Sequence, residues 1–288
     1  MARPHEFPFL HRLRVRWPEV DAQQVVFNGH YLSYLDVAIS EYWRTIGLPY
    51  PEGVAHLGGD VFARRNTVEY HAPARLDDWL DIGLRSERIG NSSITMVWAV
   101  WAQGRLLVTG EVVYVYTDRE TRRPTMVPAS MRAQIEAHAR GHAVHQVATG
   151  DWATLGDDAR PVRRAVFIDE QGIPESEEWD NDDAGAVHAV VRNLAGLPLA
   201  TARLIHHGLE PGHARIGRMA VLRSTRGVGL GRMLVEALLA EARQRQVQML
   251  TLHAQVSAQA FYARLGFVPE GPVFDEVGID HQLMRLTL

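Results

Sequence analysis

The sequence predicts two α+β domains in tandem: an antiparallel sheet wrapped around one long helix, then a mixed sheet flanked by helices. Three observations carry this reading. The chain has 288 residues, whereas one ordinary core serves about 100–200. Its first half is built of long alternating segments with a single apolar-faced helix, and its second half interleaves shorter strands with strongly periodic helices. Between about residues 139 and 158, Gly, His, Asp and Ala replace the alternation, so the boundary is placed near Gly141, giving domains over 1–140 and 141–288.

In the first half, Tyr31, Leu32, Leu35, Ala38, Ile39, Tyr42, Trp43 and Ile46 recur at three- and four-residue steps and predict one long, largely buried helix. Strands are expected over 66–70, 79–87, 92–102 and 106–117, the last two joined by a turn at Gln103-Gly104. In the second half, strands are expected over 143–148, 188–192, 199–204, 216–221, 249–252 and 281–288, with helices over 159–171, 229–244 and 257–265. No internal repeat relates the halves.

Composition narrows the function classes. Hydrophobic residues at 46% and charged residues at 22% describe a globular protein. A net charge of −4 supplies no basic field for phosphates, so no nucleic-acid partner is expected. The longest uncharged apolar stretch, 92–104, falls short of the ~20 residues that cross a bilayer, so no membrane partner is expected. The Arg-rich start lacks the apolar core of an export signal, and a cytoplasmic location is expected. The absence of cysteine removes disulfides, thiolate metal sites and a cysteine nucleophile, so acyl transfer must be direct or use oxygen chemistry. The pair His206-His207 reads as a surface turn, and no metal is expected.

Asp21 sits in a turn between a strand and the long helix. A carboxylate there can act as nucleophile or as general base on water, while free N–H groups at the helix start polarise an acyl carbonyl. The alternative is that Asp21 stabilises the turn or caps the helix. The stretch from Arg14 to Leu35 resembles the 4-hydroxybenzoyl-CoA thioesterase class of hot-dog proteins. The similarity continues through Val68-Glu-Tyr-His-Ala-Pro-Ala-Arg-Leu-Asp-Asp, Arg88-Ile-Gly-Asn-Ser-Ser and Met126-Val-Pro. The resemblance implies a hot-dog domain that hydrolyses acyl-CoA in a homodimer, with Asp21 catalytic and the carbonyl-polarising N–H near Asn28. The chain departs from that pattern at Gln24, where a Gly is often found, and at Asp36-Val-Ala-Ile39 in place of Glu-x-Ala-Arg. His30 and Ser92-Ser93 are further pocket candidates that read equally as structural.

The run from Ile216 to Leu239 is the most informative in the second half. Arg226-Gly-Val-Gly-Leu-Gly-Arg232 opens a helix, where glycines let the backbone approach a ligand and unpaired N–H groups face an anion such as pyrophosphate. Arg226 and Arg232 can add charge-assisted contacts. A ligand-free strand-to-helix turn is the plain alternative; a dinucleotide fold is disfavoured because the motif lies late in its domain. Following a Met-Ala-Val strand, this run resembles the acetyl-CoA signature of GNAT acetyltransferases. Leu252-His-Ala-Gln-Val-Ser-Ala-Gln-Ala-Phe-Tyr-Ala-Arg-Leu-Gly-Phe matches that superfamily's second marker. The resemblance implies that Met219, Ala220 and Val221 hold the acetyl and pantetheine arm. It places the pyrophosphate on the loop of Arg226, Gly227, Val228, Gly229, Leu230 and Gly231 with Arg232, and makes Tyr262 the acid that protonates departing CoA. A core aromatic beside Phe261 is the other reading of Tyr262.

The expectation is thus a bifunctional enzyme using acyl-CoA, acetyl-CoA and a small amine as substrates, at least dimeric through its hot-dog domain. Its rival is an acetyltransferase whose hot-dog half is a degenerate dimerisation or acyl-CoA-sensing module. The acidic run Glu175, Glu177, Glu178, Asp180, Asp182 and Asp183 reads mainly as a solvated loop that could also attract a cationic amine.

Overall fold

The computed structural model describes residues 2–206 and 210–288. The chain divides into two compact units, Met1–His145 with Asn193–Leu197, and Gln146–Arg192 with Pro198–Leu288.

The first unit runs β1 (Phe9–Arg14), α1 (His30–Thr45), α2 (Glu52–Ala55), β2 (Gly59–Tyr70), β3 (Trp79–Ile89), β4 (Ser93–Ala102), β5 (Arg105–Asp118) and α3 (Ala129–Ala139). Its five strands form an antiparallel sheet in the order β1-β3-β4-β5-β2. Ile94, Met96, Trp98 and Val100 of β4 join the core that buries Tyr31, Tyr34, Leu35, Ala38, Ile39, Tyr42 and Trp43 of α1. Burying each such side chain is worth roughly 1.5–3 kcal/mol, and the helix owes its place to that face. The other side of β4 is closed by Phe7, whose ring meets Trp101 edge-on at 5.2 Å. The β4–β5 hairpin turns on Gln103 (φ 50°) and Gly104 (φ 78°), two left-handed residues whose twist suits adjoining strands.

The second unit runs β6 (His145–Gly150), α4 (Trp152–Arg163), a π-helical stretch (Arg164–Glu170), α5 (Glu175–Glu178), β7 (Val187–Asn193), β8 (Pro198–Ile205), β9 (His213–Val221), α6 (Leu230–Gln244), β10 (Met249–Gln255), α7 (Gln259–Ala263), β11 (Val268–Glu276) and β12 (Ile279–Thr287). Its sheet has seven strands in the order β11-β12-β10-β9-β8-β7-β6 and is mixed, because β10 lies parallel to β9. That parallel pairing spans only Met249↔His213 to Leu252↔Ile216, so β9 and β10 part beyond Ile216 and Leu252. On β9 the register with β8 shifts between Ala220 and Gly217, a bulge at which Arg218 takes φ 49°.

Candidate functional sites

In the first unit, an isolated bridge between Val20 and Val26 closes the loop that carries Asp21. Asp21 N–H donates to the Val25 carbonyl, Gln24 N–H donates to the Asp21 carbonyl, both at 2.9 Å, and Asp21 Oδ1 accepts from Gln23 N–H at 2.8 Å. The carboxylate therefore organises its own turn, while Oδ2 has no hydrogen-bond donor among the described residues. Asn28 is exposed just before α1, its carbonyl accepts from Tyr70 Oη at 3.1 Å, and its N–H has no acceptor among the described residues. His30 opens α1 and Ser93 opens β4, as turn and strand-start residues do.

Gln24 takes φ 61°. That left-handed conformation costs a non-glycine residue roughly 1–2 kcal/mol, so the backbone here is the one a glycine favours. The departure from Gly is a matter of strain and leaves the path of the Asp21 loop intact. Gln24→Gly is expected to stabilise the first unit by up to about 1 kcal/mol in equilibrium unfolding, as relief of the left-handed strain outweighs the added freedom of the unfolded chain, without altering hydrolysis.

The loop has a support that sequence reading missed. Glu19 is buried; it pairs with Arg16, accepts from Arg16 N–H at 2.7 Å and from Tyr34 Oη of α1 at 2.7 Å, and its carbonyl accepts from Phe27 N–H at 3.0 Å. Burial would raise its carboxyl, but the hydrogen bonds from Arg16 and Tyr34 bring it below the usual range. Glu19 thus ties both ends of the Asp21 loop to α1.

In the second unit, the parting of β9 and β10 opens a cleft of about 1030 Å³. Met219, Val221, Arg226, Gly227, Gly229, Leu230, Gly231, Arg232 and Tyr262 all line it, while Ala220 turns into the core beside Val162, Val166 and Phe167. The cleft floor ends on the start of α6. Gly229 caps that helix at φ 93°, and a side chain on Gly231 would lie 3.0 Å from Met219 Cε and 3.2 Å from Phe261. The loop needs the first glycine for its turn and the second for its close packing. Arg232 is exposed on the first turn of α6. Arg226 holds Glu170 through two hydrogen bonds of 2.7 Å and donates to the Val221 carbonyl, which braces the loop.

Tyr262 lies on α7, buried beside Phe261 and Phe267, and its hydroxyl reaches 3.1 Å from Met219 Sδ. Burial pushes its pKa up to about 12, which keeps the hydroxyl protonated. The ring packs in the core, and the OH points to the cleft-lining Met219.

The acidic run divides. Glu175 and Glu177 are exposed, as a solvated loop requires, but Glu178 and Asp183 are buried. Arg163, almost fully buried between the Trp152 and Trp179 rings, pairs with Glu178 and, at 2.7 Å, with Asp183. Arg203 binds Asp180 at 2.6 Å and Asp183 at 2.7 Å, and Arg218 on the bulge reaches Glu178 at 3.1 Å and Asp180 at 3.0 Å. The partner arginines lie on α4, β8 and β9, so no local spacing announces them. Burial would raise the Asp180 carboxyl, but hydrogen bonds and charge from Arg203 and Arg218 hold it at about 2. An unfolded Asp titrates near 3.9. The stabilisation is therefore complete above about pH 4 and is lost as the pH falls through about 2. Asp180→Asn is expected to flatten the second unit's stability across that acid window, as read by hydrogen exchange at successive pH values.

Among the described residues, no three His, Cys, Asp or Glu side chains gather to hold a metal ion, and no helix is long and apolar enough to cross a membrane. His206 ends the described stretch and His207 lies outside the described residues.

Two known families match the two regions that carry these residues. Residues 23–109, opening just after Asp21, match the thioesterase superfamily, and residues 170–288 match the acetyltransferase (GNAT) domain. A Bacillus subtilis (strain 168) protein named provisionally as an acetyltransferase is 34% identical over 126 residues, 43% of this chain and 83% of the relative. The acyl-CoA thioester hydrolase YbgC of Escherichia coli is 30% identical over 125 residues, 43% of this chain and 92% of the relative. A thioesterase of Thermus thermophilus, solved with coenzyme A and zinc, is 29% identical over 47% of this chain and 96% of its own, with a TM-score of 0.42. The chain belongs to both families: its N-terminal region is a hot-dog thioesterase domain and its C-terminal region a GNAT acetyltransferase domain.

Proposed function

We propose that this chain is a bifunctional coenzyme A enzyme acting in the cytoplasm. The half over 1–140 hydrolyses an acyl-CoA thioester, and the half over 141–288 transfers acetyl from acetyl-CoA to a small amine. The observation that carries the second activity is the cleft where β9 and β10 part. It brings a protonated Tyr262 hydroxyl, the Met219–Val221 backbone and the glycine loop onto one cavity. Acetyl-CoA lies with its pyrophosphate on the start of α6 and its thioester near Met219. The amine attacks the acetyl carbon, and Tyr262 gives its proton to the departing sulfur. In the first half, Asp21 activates water or attacks directly, and Asn28 N–H polarises the acyl carbonyl. Gln24 adopts the backbone a glycine would, so it lends no weight to a lost site.

Assembly at least to a dimer through the first half accords with β2, a 12-residue edge strand with Phe62 and Tyr70 exposed. No metal is assigned to either reaction. The test is release of CoA thiol over a panel of acyl-CoAs, with and without amines. With no protein cysteine, thiol reagents report only CoA. Release without amine supports hydrolysis and amine-dependent release of acetyl-CoA thiol supports transfer; a chain inert in both arms would sink the reading.

A further inference from the structure

An amine acceptor arrives as an ammonium ion and must lose a proton before its lone pair can attack, so the cleft needs a proton acceptor. Tyr262, kept protonated by burial, cannot serve. On β10, Leu250, Leu252 and Ala254 are buried, and the alternating residue His253 faces the other way, a third exposed, and lines the cleft. It is the first residue beyond the last β9–β10 pair, Leu252↔Ile216, where the cleft begins.

Glu276 at the end of β11 contacts the ring, its Oε2 lying 2.9 Å from His253 Nδ1. A carboxylate only accepts, so the proton of a neutral imidazole sits on Nδ1 and Nε2 carries the lone pair. Phe274 of the same strand packs edge-on against the ring at 4.9 Å and limits its rotation. Among the described residues the cleft holds one other imidazole, His281, whose Nδ1 donates to the Ile279 carbonyl at 2.8 Å. A carbonyl fixes a tautomer, but a carboxylate also stabilises the imidazolium that forms once the proton is taken, and that singles out His253. The cleft lining also carries the carboxylates of Glu177, Glu178 and Asp180 and the arginines Arg203, Arg218 and Arg264.

We propose that His253 is the general base of acetyl transfer and Glu276 its positioning residue, an inference that rests on the amine-acetyltransferase reading above. Nε2 of His253 takes the ammonium proton and passes it to solvent; the freed lone pair forms the N–C bond, and Nε2 then takes the second proton from nitrogen. The C–S bond breaks, and the thiolate takes the Tyr262 proton. The products are the amide and CoA thiol, and solvent returns a proton to Tyr262 and removes one from His253.

The experiment uses the full chain with acetyl-CoA and the amine that turns over best. His253→Gln is expected to lower kcat about 10²–10⁴-fold and to remove the acidic limb of the kcat/KM pH profile, with acetyl-CoA affinity by calorimetry unchanged. Glu276→Gln is expected to lower kcat by a smaller factor. Added imidazole is expected to restore turnover to His253→Ala in proportion to its unprotonated concentration, a response that a packing role would not give. An acidic limb and rate retained in His253→Gln, an imidazole-insensitive His253→Ala, or loss of the limb in His281→Gln instead would each overturn His253 as base while leaving acetyl transfer standing. Wild-type chain without amine-dependent thiol release would overturn both.

Discussion

Asp21→Asn is expected to reduce acyl-CoA hydrolysis at least about 10²-fold while the first unit keeps its fold, and Asp21→Ala is expected to be as inactive and less stable. The two variants separate the proposed catalytic role of Asp21 from the turn role seen in the structure. Oδ1 accepts from Gln23 N–H at 2.8 Å and shapes the turn. An asparagine oxygen can keep that bond but can neither take a proton from water nor attack as an anion. The measurement is CoA release from acyl-CoA without amine, alongside urea unfolding of each variant. Near wild-type hydrolysis in the Asn variant would remove Asp21 from catalysis and leave it a turn residue. Acetyl transfer is expected to be unchanged in both, because Tyr262 and the glycine loop belong to the other unit.

Tyr262→Phe is the second large effect. Losing the hydroxyl leaves ring volume unchanged, so the contacts with Phe261 and Phe267 survive, and the one bond lost is the weak one to Met219 Sδ. A fall in kcat of about 10²–10⁴-fold is expected, with acetyl-CoA affinity nearly constant, because the proposed mechanism uses the hydroxyl when sulfur departs rather than when acetyl-CoA binds. Since burial holds the hydroxyl at about 12, the wild-type rate should show no loss of this acid below about pH 10. A folded Phe variant with wild-type transfer would confine Tyr262 to the core.

How much of this was legible beforehand depends on how local each signal is. The α1 face and the glycine loop before α6 are written in neighbouring residues, and both helices lie where periodicity places them. The start of β2 was not legible, because Arg64-Arg65 and a register shift between Ala63 and Arg65 interrupt its alternation. Expected to begin at residue 66, it begins at Gly59. β11 was missed since Pro269, Gly271 and Pro272 read as loop, and as an edge strand with a register shift it tolerates them. α3 buries only Met131, Gln134 and Ile135, too narrow a stripe to stand out. At the sites, the residue types near Asp21 and Tyr262 were readable, whereas Glu19 and the arginine partners of Glu178 and Asp183 depend on tertiary neighbours. Arg226 illustrates the same limit: its motif position was readable, but its pairing with Glu170 was not.

The buried charges shape how the second unit can fold. Arg163 comes from α4, Arg203 from β8 and Arg218 from β9, and all three converge on the segment between Glu178 and Asp183. An intermediate missing any one of these elements strands a charge in a drying interior, at a cost of several kcal/mol. Such states are disfavoured, and the helix, the two strands and the acidic segment are expected to unfold together. Glu178, Asp180, Arg203 and Arg218 all line the cleft, so one wall of that cavity stands or falls with these ion pairs.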